Sequence, residues 1–185
     1  MARNIVTGIA ILFLFSLPVA AQDSSPLQNP SPRQERDKLA FLVGTYATET
    51  HIMPGPMAPN GGSGKGTTVM TWGLDSMFVM IDEQSVNKVF GEYKGHGMLG
   101  YDRQAGKYVL SMFNNFGDTP QYRGTFNGDT LTLMTKVEFP GGAFEQKLVW
   151  FSEHNTIRLK IFNDMGKGYT LTIEETSVPS TQNKK

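Results

Sequence analysis

The sequence predicts an all-β fold, an antiparallel up-and-down β-barrel of roughly ten strands led in by a short N-terminal helix. Three observations carry this. Apolar and polar residues alternate at period two in run after run between residues 45 and 175. The runs are parted by short Gly-, Asn-, Asp- and Pro-containing turns that leave no room for crossover helices. The composition, with 20 Gly, 12 Phe and 6 Tyr, suits a turn-rich β protein. A meander must deal with its two edges, and closure into a barrel does so; a two-sheet sandwich is the alternative.

In chain order, residues 1–21 read as a secretory signal peptide. Arg3 lies in a short n-region, an apolar run extends from Ile5 to Leu17, and Val19-Ala20-Ala21 precedes Gln22, so cleavage is expected after Ala21. The mature protein is then exported, periplasmic or secreted, with no stable membrane anchoring. With no cysteine there is no disulfide scaffold, thiolate metal site or lipoprotein cysteine. Residues 22–36, rich in Ser, Pro, Gln and Asn, read as a flexible linker. One domain spans 37–176, and 177–185 read as a disordered tail. A formal net charge of +0 supplies no electrostatic footprint for nucleic acid.

Within the domain, Asp37 is a possible cap for a short helix carrying Leu39, Phe41 and Leu42 toward Gly44, placed to plug one end of the barrel. Strands are expected at 45–53, 67–74, 77–86, 89–101, 107–116, 121–126, 130–139, 144–152, 156–163 and 169–175. Residues 95–117 form the plainest hairpin, with Gly106 where a short loop needs positive φ. Asn127-Gly128 is the strongest turn signal, since both central positions of a type I′ turn require positive φ. Residues 54–66, the longest irregular segment, are a candidate lid or a mobile connection.

Parity assigns the faces. Leu131, Leu133 and Val137 oppose Thr132, Lys136 and Glu138; Phe144, Gln146, Leu148 and Trp150 oppose Glu145 and Lys147. Gly91, Tyr93, Gly95, Gly97 and Leu99 share the inward parity of their strand. Inward glycines permit close approach of a neighbour, bend a barrel corner, or leave a hollow. Such a hollow would be lined by Met70, Trp72, Met77, Met112, Met134 and Trp150, with flexible Met suiting irregular apolar cargo. Tyr93, Asn114 and Gln146 would orient a ligand.

The segment Leu39-Ala40-Phe41-Leu42-Val43-Gly44-Thr45-Tyr46 resembles the opening of the bacterial domain-of-unknown-function family 1579, with Tyr46 where the family usually has Trp. Gly97-Met98-Leu99-Gly100-Tyr101-Asp102 with Lys107-Tyr108-Val109 resembles its central hairpin. Tyr122-Arg123-Gly124-Thr125-Phe126-Asn127-Gly128-Asp129 resembles the following strand and turn. The resemblance implies a calycin-type barrel, akin to lipocalins and haem-binding nitrobindins, with a small-molecule pocket. It carries no catalytic residues.

Haem is not expected as a cofactor. Nitrobindin-type barrels ligate its iron through a histidine on a late strand, and 169–175 contains none. His51 and His96 take the parity of charged neighbours and His154 lies in a turn, so only an inward Tyr93 or Tyr169 remains as a ligand type. No metal site and no catalytic residue is assigned. Ser63 lacks the nucleophile-elbow spacing, because Lys65 replaces the last glycine. Glu83 shares parity with Met77, Val79 and Ile81, which makes it a candidate acid/base or a partner for Arg123. The expectation is thus a binder of a small apolar or amphipathic molecule. An enzyme using Glu83 or Tyr93 in the same pocket, or a pocketless interaction module, are the competing readings.

Overall fold

A computed structural model describes residues 32–56 and 58–180. The expected signal peptide, most of the expected linker, Met57 and residues 181–185 lie outside the described residues. The element order is α1 (Pro32–Asp37), a 3-10 turn (Ala40–Leu42), then β1 (Gly44–Ile52), β2 (Gly62–Gly73), β3 (Phe78–Asn87), β4 (Gly91–Asp102), β5 (Lys107–Asn114), β6 (Gln121–Asn127), β7 (Thr130–Phe139), β8 (Gly142–Glu153), β9 (Thr156–Asp164) and β10 (Tyr169–Pro179). Each strand pairs antiparallel with its sequence neighbour, and β1 pairs with β10 to close the barrel. Both edges disappear in that seam, so a closed barrel replaces the sandwich alternative.

Several boundaries differ from the sequence expectation, each for a physical reason. Asp37 ends the helix and does not cap it: Pro32, with its φ preset and no N–H to lose, starts α1 inside the stretch read as linker. β2 begins at Gly62, so Gly62-Ser63-Gly64-Lys65-Gly66 is strand and not a mobile connection. Pairing on both sides imposes extended structure there, with β1 from Gly44↔Met70 to Ile52↔Gly62 and with β3 from Gly64↔Asn87. β10 runs on through Ser177 and Val178, which pair with Thr48 and Ala47, so the strand that closes the barrel takes in the first residues of the expected tail. The turn between β6 and β7 centres on Gly128-Asp129, one residue later than expected, with Asn127 paired to Thr130 and positive φ at Gly128.

Glycines shape the wall. A Cβ on Gly124 would come 1.8 Å from the Thr132 carbonyl oxygen, and one on Gly66 2.2 Å from that of Gln84. Only glycine lets the neighbouring backbones approach so closely where the sheet bends. A bulge at Thr172 then resets the late strand: Leu171 pairs Phe162 while Ile173 pairs Ile161. The extra residue puts Ile173, Glu175 and Ser177 on the inner face and turns Tyr169 outward.

The two ends of the barrel are built differently. At one end, α1 and the 3-10 turn sit across the opening, and Leu39 and Leu42 are fully buried there with Leu99, Leu131 and Leu133. Phe41 meets Phe126 edge-on at 6.2 Å, and Tyr108 meets Phe126 at 5.0 Å. The Tyr46 hydroxyl donates to the Leu42 carbonyl at 3.0 Å, and the Tyr108 hydroxyl to the Glu35 carbonyl at 2.9 Å. Tyr108 also bonds the Glu35 carboxylate, which Lys38 meets at 2.8 Å. Burial pushes the Glu35 carboxyl up, but those donors outweigh it and hold it below its ordinary value. The expected plug is therefore present, anchored through backbone and side chain.

Candidate functional site

Opposite the plug the barrel is hollow. A cavity of about 720 Å³ reaches from the mouth, at Asn87, Phe144 and the 115–120 loop, down to Met70, Leu110, Leu148 and Trp150. That volume falls within the ordinary range of small-molecule sites. Its walls follow from the parity of the strands: Ile52, Ile81, Met112, Val137, Leu159, Ile161 and Ile173 all alternate with outward residues. Of the three explanations for the inward glycines of β4, close approach applies at Gly95 and Gly97: a Cβ there would come 2.7 Å from the Tyr93 phenol oxygen and 2.3 Å from Met112 Sδ.

The sequence-predicted site residues divide accordingly. Met70, Tyr93, Met112, Asn114, Gln146 and Trp150 all line the cavity. Trp72 does not: it packs against the core at the plugged end, with the Arg36 guanidinium 5.8 Å over its ring. Parity settles which face a residue takes but not its depth along the barrel. Met134 is 40% exposed on the outer face, and Met77 sits in the turn after β2 at the plugged end, so neither lines the hollow.

Two of the expected orienting groups are already engaged. Asn114 accepts the backbone N–H groups of Phe116 and Asp118, at 3.0 Å each, and donates to the Asp118 carboxylate at 3.2 Å, so it shapes the mouth loop. Gln146 accepts from the Tyr122 hydroxyl and donates to Asn163 at 3.0 Å. Tyr93 differs: its ring lies back along β4 over Gly95, where a Cβ would come 2.7 Å from the phenol oxygen. Its hydroxyl has no hydrogen-bond partner among the described residues, and its ring leans on Phe116 at 6.0 Å.

The 115–120 loop, with Phe116 through Pro120 along the cavity, occupies the place expected of residues 54–66. The latter segment is shortened by the early start of β2 and folds onto itself through the Gly55↔Ala58 bridge, away from the cavity.

The polar content of the hollow is concentrated on one wall. Glu83 projects inward from β3 and Glu175 from β10. Between them, across β2 and β1, run Thr68, Thr48 and Ser177, with Thr48 Oγ1 2.9 Å from Thr68 Oγ1 and 3.0 Å from Ser177 Oγ. Thr68 is the cross-strand partner of Glu83, and Ser177 follows Glu175 on the same face. Burial pushes the Glu83 carboxyl up to about 7. Burial first, then the nearby charge of Glu83, pushes Glu175 well above the carboxylate range against the opposing hydrogen bond from Ser177. Desolvation, with Glu83 the foremost charge beside it, likewise holds the Tyr93 phenol far above its ordinary value, and burial pushes Tyr122 up to about 12.

Glu83 was visible in the sequence by parity, but Arg123 is not its partner. Arg123 is exposed on β6 beside Asp102 at 3.7 Å. Glu175 escaped the sequence reading; its alternation with Ile173 and Ser177 is a usable signal that extends past the expected strand end.

No described histidine lines the cavity. His51 and His96 are exposed on outer faces, His96 bonding Asp82 at 2.7 Å, and His154 takes positive φ in a turn. Tyr169 is outside too, donating to Glu145 at 2.8 Å with Lys147 Nζ 4.1 Å over its ring. The residues present do not fit a histidine-ligated haem.

A family model described as protein of unknown function (DUF1579) matches residues 31–177. The chain belongs to the DUF1579 family. Among solved structures, the crystal structure of Rv2717c from M. tuberculosis is similar to this DUF1579 barrel with a TM-score of 0.58 at 14% identity, covering 78% of this chain and 96% of that one. That likeness shows a shared fold. A de novo designed fluorescence-activating β-barrel is similar at a TM-score of 0.44 and 10% identity over 78% of this chain and 98% of the design. No curated protein matches the sequence.

Proposed function

We propose that this protein is an exported binder of a small, mainly apolar or amphipathic molecule held inside the barrel. The cavity of about 720 Å³, walled by apolar side chains and opening away from the plug, supports the reading. Binding would draw on water expelled from Met70, Met112 and Trp150, with Tyr93 as the free orienting group. Export rests on the pattern of residues 1–21 and is tested by N-terminal sequencing of the fractionated protein, which should begin at Gln22.

The test of binding is native mass spectrometry of the mature protein purified without detergent, followed by denaturation and identification of any released molecule. A stoichiometric ligand supports a carrier and gives its cargo class. A bare mass that stays bare after incubation with mixed lipids and haem refutes it and favours an interaction module.

A further inference from the structure

The wall that carries Glu83 and Glu175 gives the cavity a chemical preference. Most ligand-sized hollows keep a few dispersed polar groups. Here a continuous polar row, Glu83–Thr68–Thr48–Ser177–Glu175, crosses four adjacent strands, while Met112, Leu148, Trp150 and Leu159 face it from the other side. Thr48 links Thr68 to Ser177, and Ser177 is also bonded to Glu175, so the two carboxyls stand at the ends of the row. Among the described residues neither carboxyl has a cationic partner, and Glu83 accepts no hydrogen bond. Glu175 is only 8% exposed.

We propose that the ligand is an amphipathic amine whose ammonium group sits between Glu83 and Glu175 and whose apolar body lies against Met112 and Trp150. This rests on the reading of the cavity as a binding site and specifies the ligand's charge. A buried carboxylate without a counter-charge is costly, and a ligand that brings the counter-charge removes that cost on binding. An ammonium has three donors and no acceptor, so it suits the Glu83 carboxylate, the oxygens of the Glu175 carboxyl and the open Tyr93 oxygen. An anionic ligand would meet repulsion at the same place. No group of three or more His, Asp or Glu suited to a metal ion is found among the described residues, so a coordinated metal does not fit the row. At the mouth, Asp118 and Glu138 face one cation, Lys136, which is already paired to Glu138 at 2.9 Å.

Three probes of equal chain length test this on the mature protein at pH 8: octylamine, 1-octanol and octanoate. Binding is read by calorimetry and by the fluorescence of Trp150 in a Trp72→Phe background. Octylamine should bind at least about tenfold more tightly than 1-octanol, the scale of one hydrogen bond to a charged group. Glu83→Gln should bring the octylamine to 1-octanol affinity ratio down to about one, and Glu175→Gln should lower it. Equal binding of octylamine and 1-octanol, or tighter binding of octanoate, overturns the amine assignment while the cavity remains a binding site. If none of the three binds, the binding-site reading falls with it.

A pH series keeps the test open if Glu175→Gln fails to fold. The titratable groups around Glu83 are Tyr93 on β4, Glu175 on β10, Tyr122 on β6 and Asp118 in the mouth loop, with Lys136 and Glu138 at the rim. The buried tyrosines stay neutral through pH 8. The preference for octylamine over 1-octanol should shrink as pH falls through about 7, where Glu83 takes up a proton. A preference unchanged between pH 5 and pH 8 overturns the proposal.

Discussion

The plugged end and the open end of this barrel each bury a glutamate, and they treat it in opposite ways. Glu35 is surrounded by donors: Lys38 and the Tyr108 hydroxyl hold its carboxyl below its ordinary value. Glu83 faces apolar walls and a second carboxyl, with its own carboxyl pushed up to about 7. Burial penalises both charges, so the difference lies in the partners supplied. One end uses a carboxylate to fasten a helix; the other keeps a carboxyl unsatisfied in a hollow. Stabilising contacts and available chemistry are segregated along one barrel axis.

Removing the fastening should have the largest effect. Leu42→Ala, at a fully buried position in the 3-10 turn, should cost about 2–5 kcal/mol in urea unfolding while leaving the cavity walls intact. A cost under about 1 kcal/mol would mean that the plug is dispensable.

The next effect has the opposite sign. Because the folded-state pKa of Glu83 lies above its unfolded value of 4.5, its contribution is fully favourable below about pH 4.5 and is lost as pH rises through about 7. Glu83→Gln should therefore raise stability at pH 8 by about 3 kcal/mol and change it little at pH 4.5, as read from denaturant midpoints at both values. Glu35 runs the other way: its contribution is present above pH 4.5 and is lost as pH falls through its lowered folded value. A Glu83→Gln protein with an unchanged pH slope between 5 and 8 would abolish the contrast.

Tyr108→Phe should cost about 1–3 kcal/mol, since it withdraws a hydroxyl from a buried carboxylate and from a carbonyl. Its loss should be greater at pH 7 than at a pH below the lowered folded value of Glu35, where that carboxyl is protonated in either state. The smallest effect is expected at the mouth. Phe116→Ala, at a side chain 54% exposed, should change stability by no more than about 0.5 kcal/mol while altering the rate at which a probe enters. A larger loss would show that the mouth loop is structural.

Most of the barrel was legible because period-two alternation survives wherever one face is dry and the other wet. Tyr93, Met112 and Trp150 were located by that signal alone. The failures have specific causes. Residues 62–66 are glycine at alternate positions, so the strand carries no apolar pattern to read; its extended form comes from partners on both sides. Trp72 has the right parity at the wrong depth. Glu175 stood at the last position of its expected strand, where a carboxylate reads as wet; the strand in fact continues through Ser177. Tyr169 takes the outer face because a bulge shifts parity without leaving a mark in composition.

The seam between β1 and β10 has a kinetic consequence. Tyr46 pairs with Pro179 and Ile52 with Ile173, so the first strand made by the ribosome waits for the last one. Until that partner arrives, β1 and the growing end of the sheet both present unpaired backbone, the condition in which sheets join other chains. Contacts between such distant residues are paid for in loop closure before they reward the chain, which places ring completion late and makes folding slow for a protein of this size. A chain shortened by its last dozen residues would lose far more than a tail: it would be an open sheet.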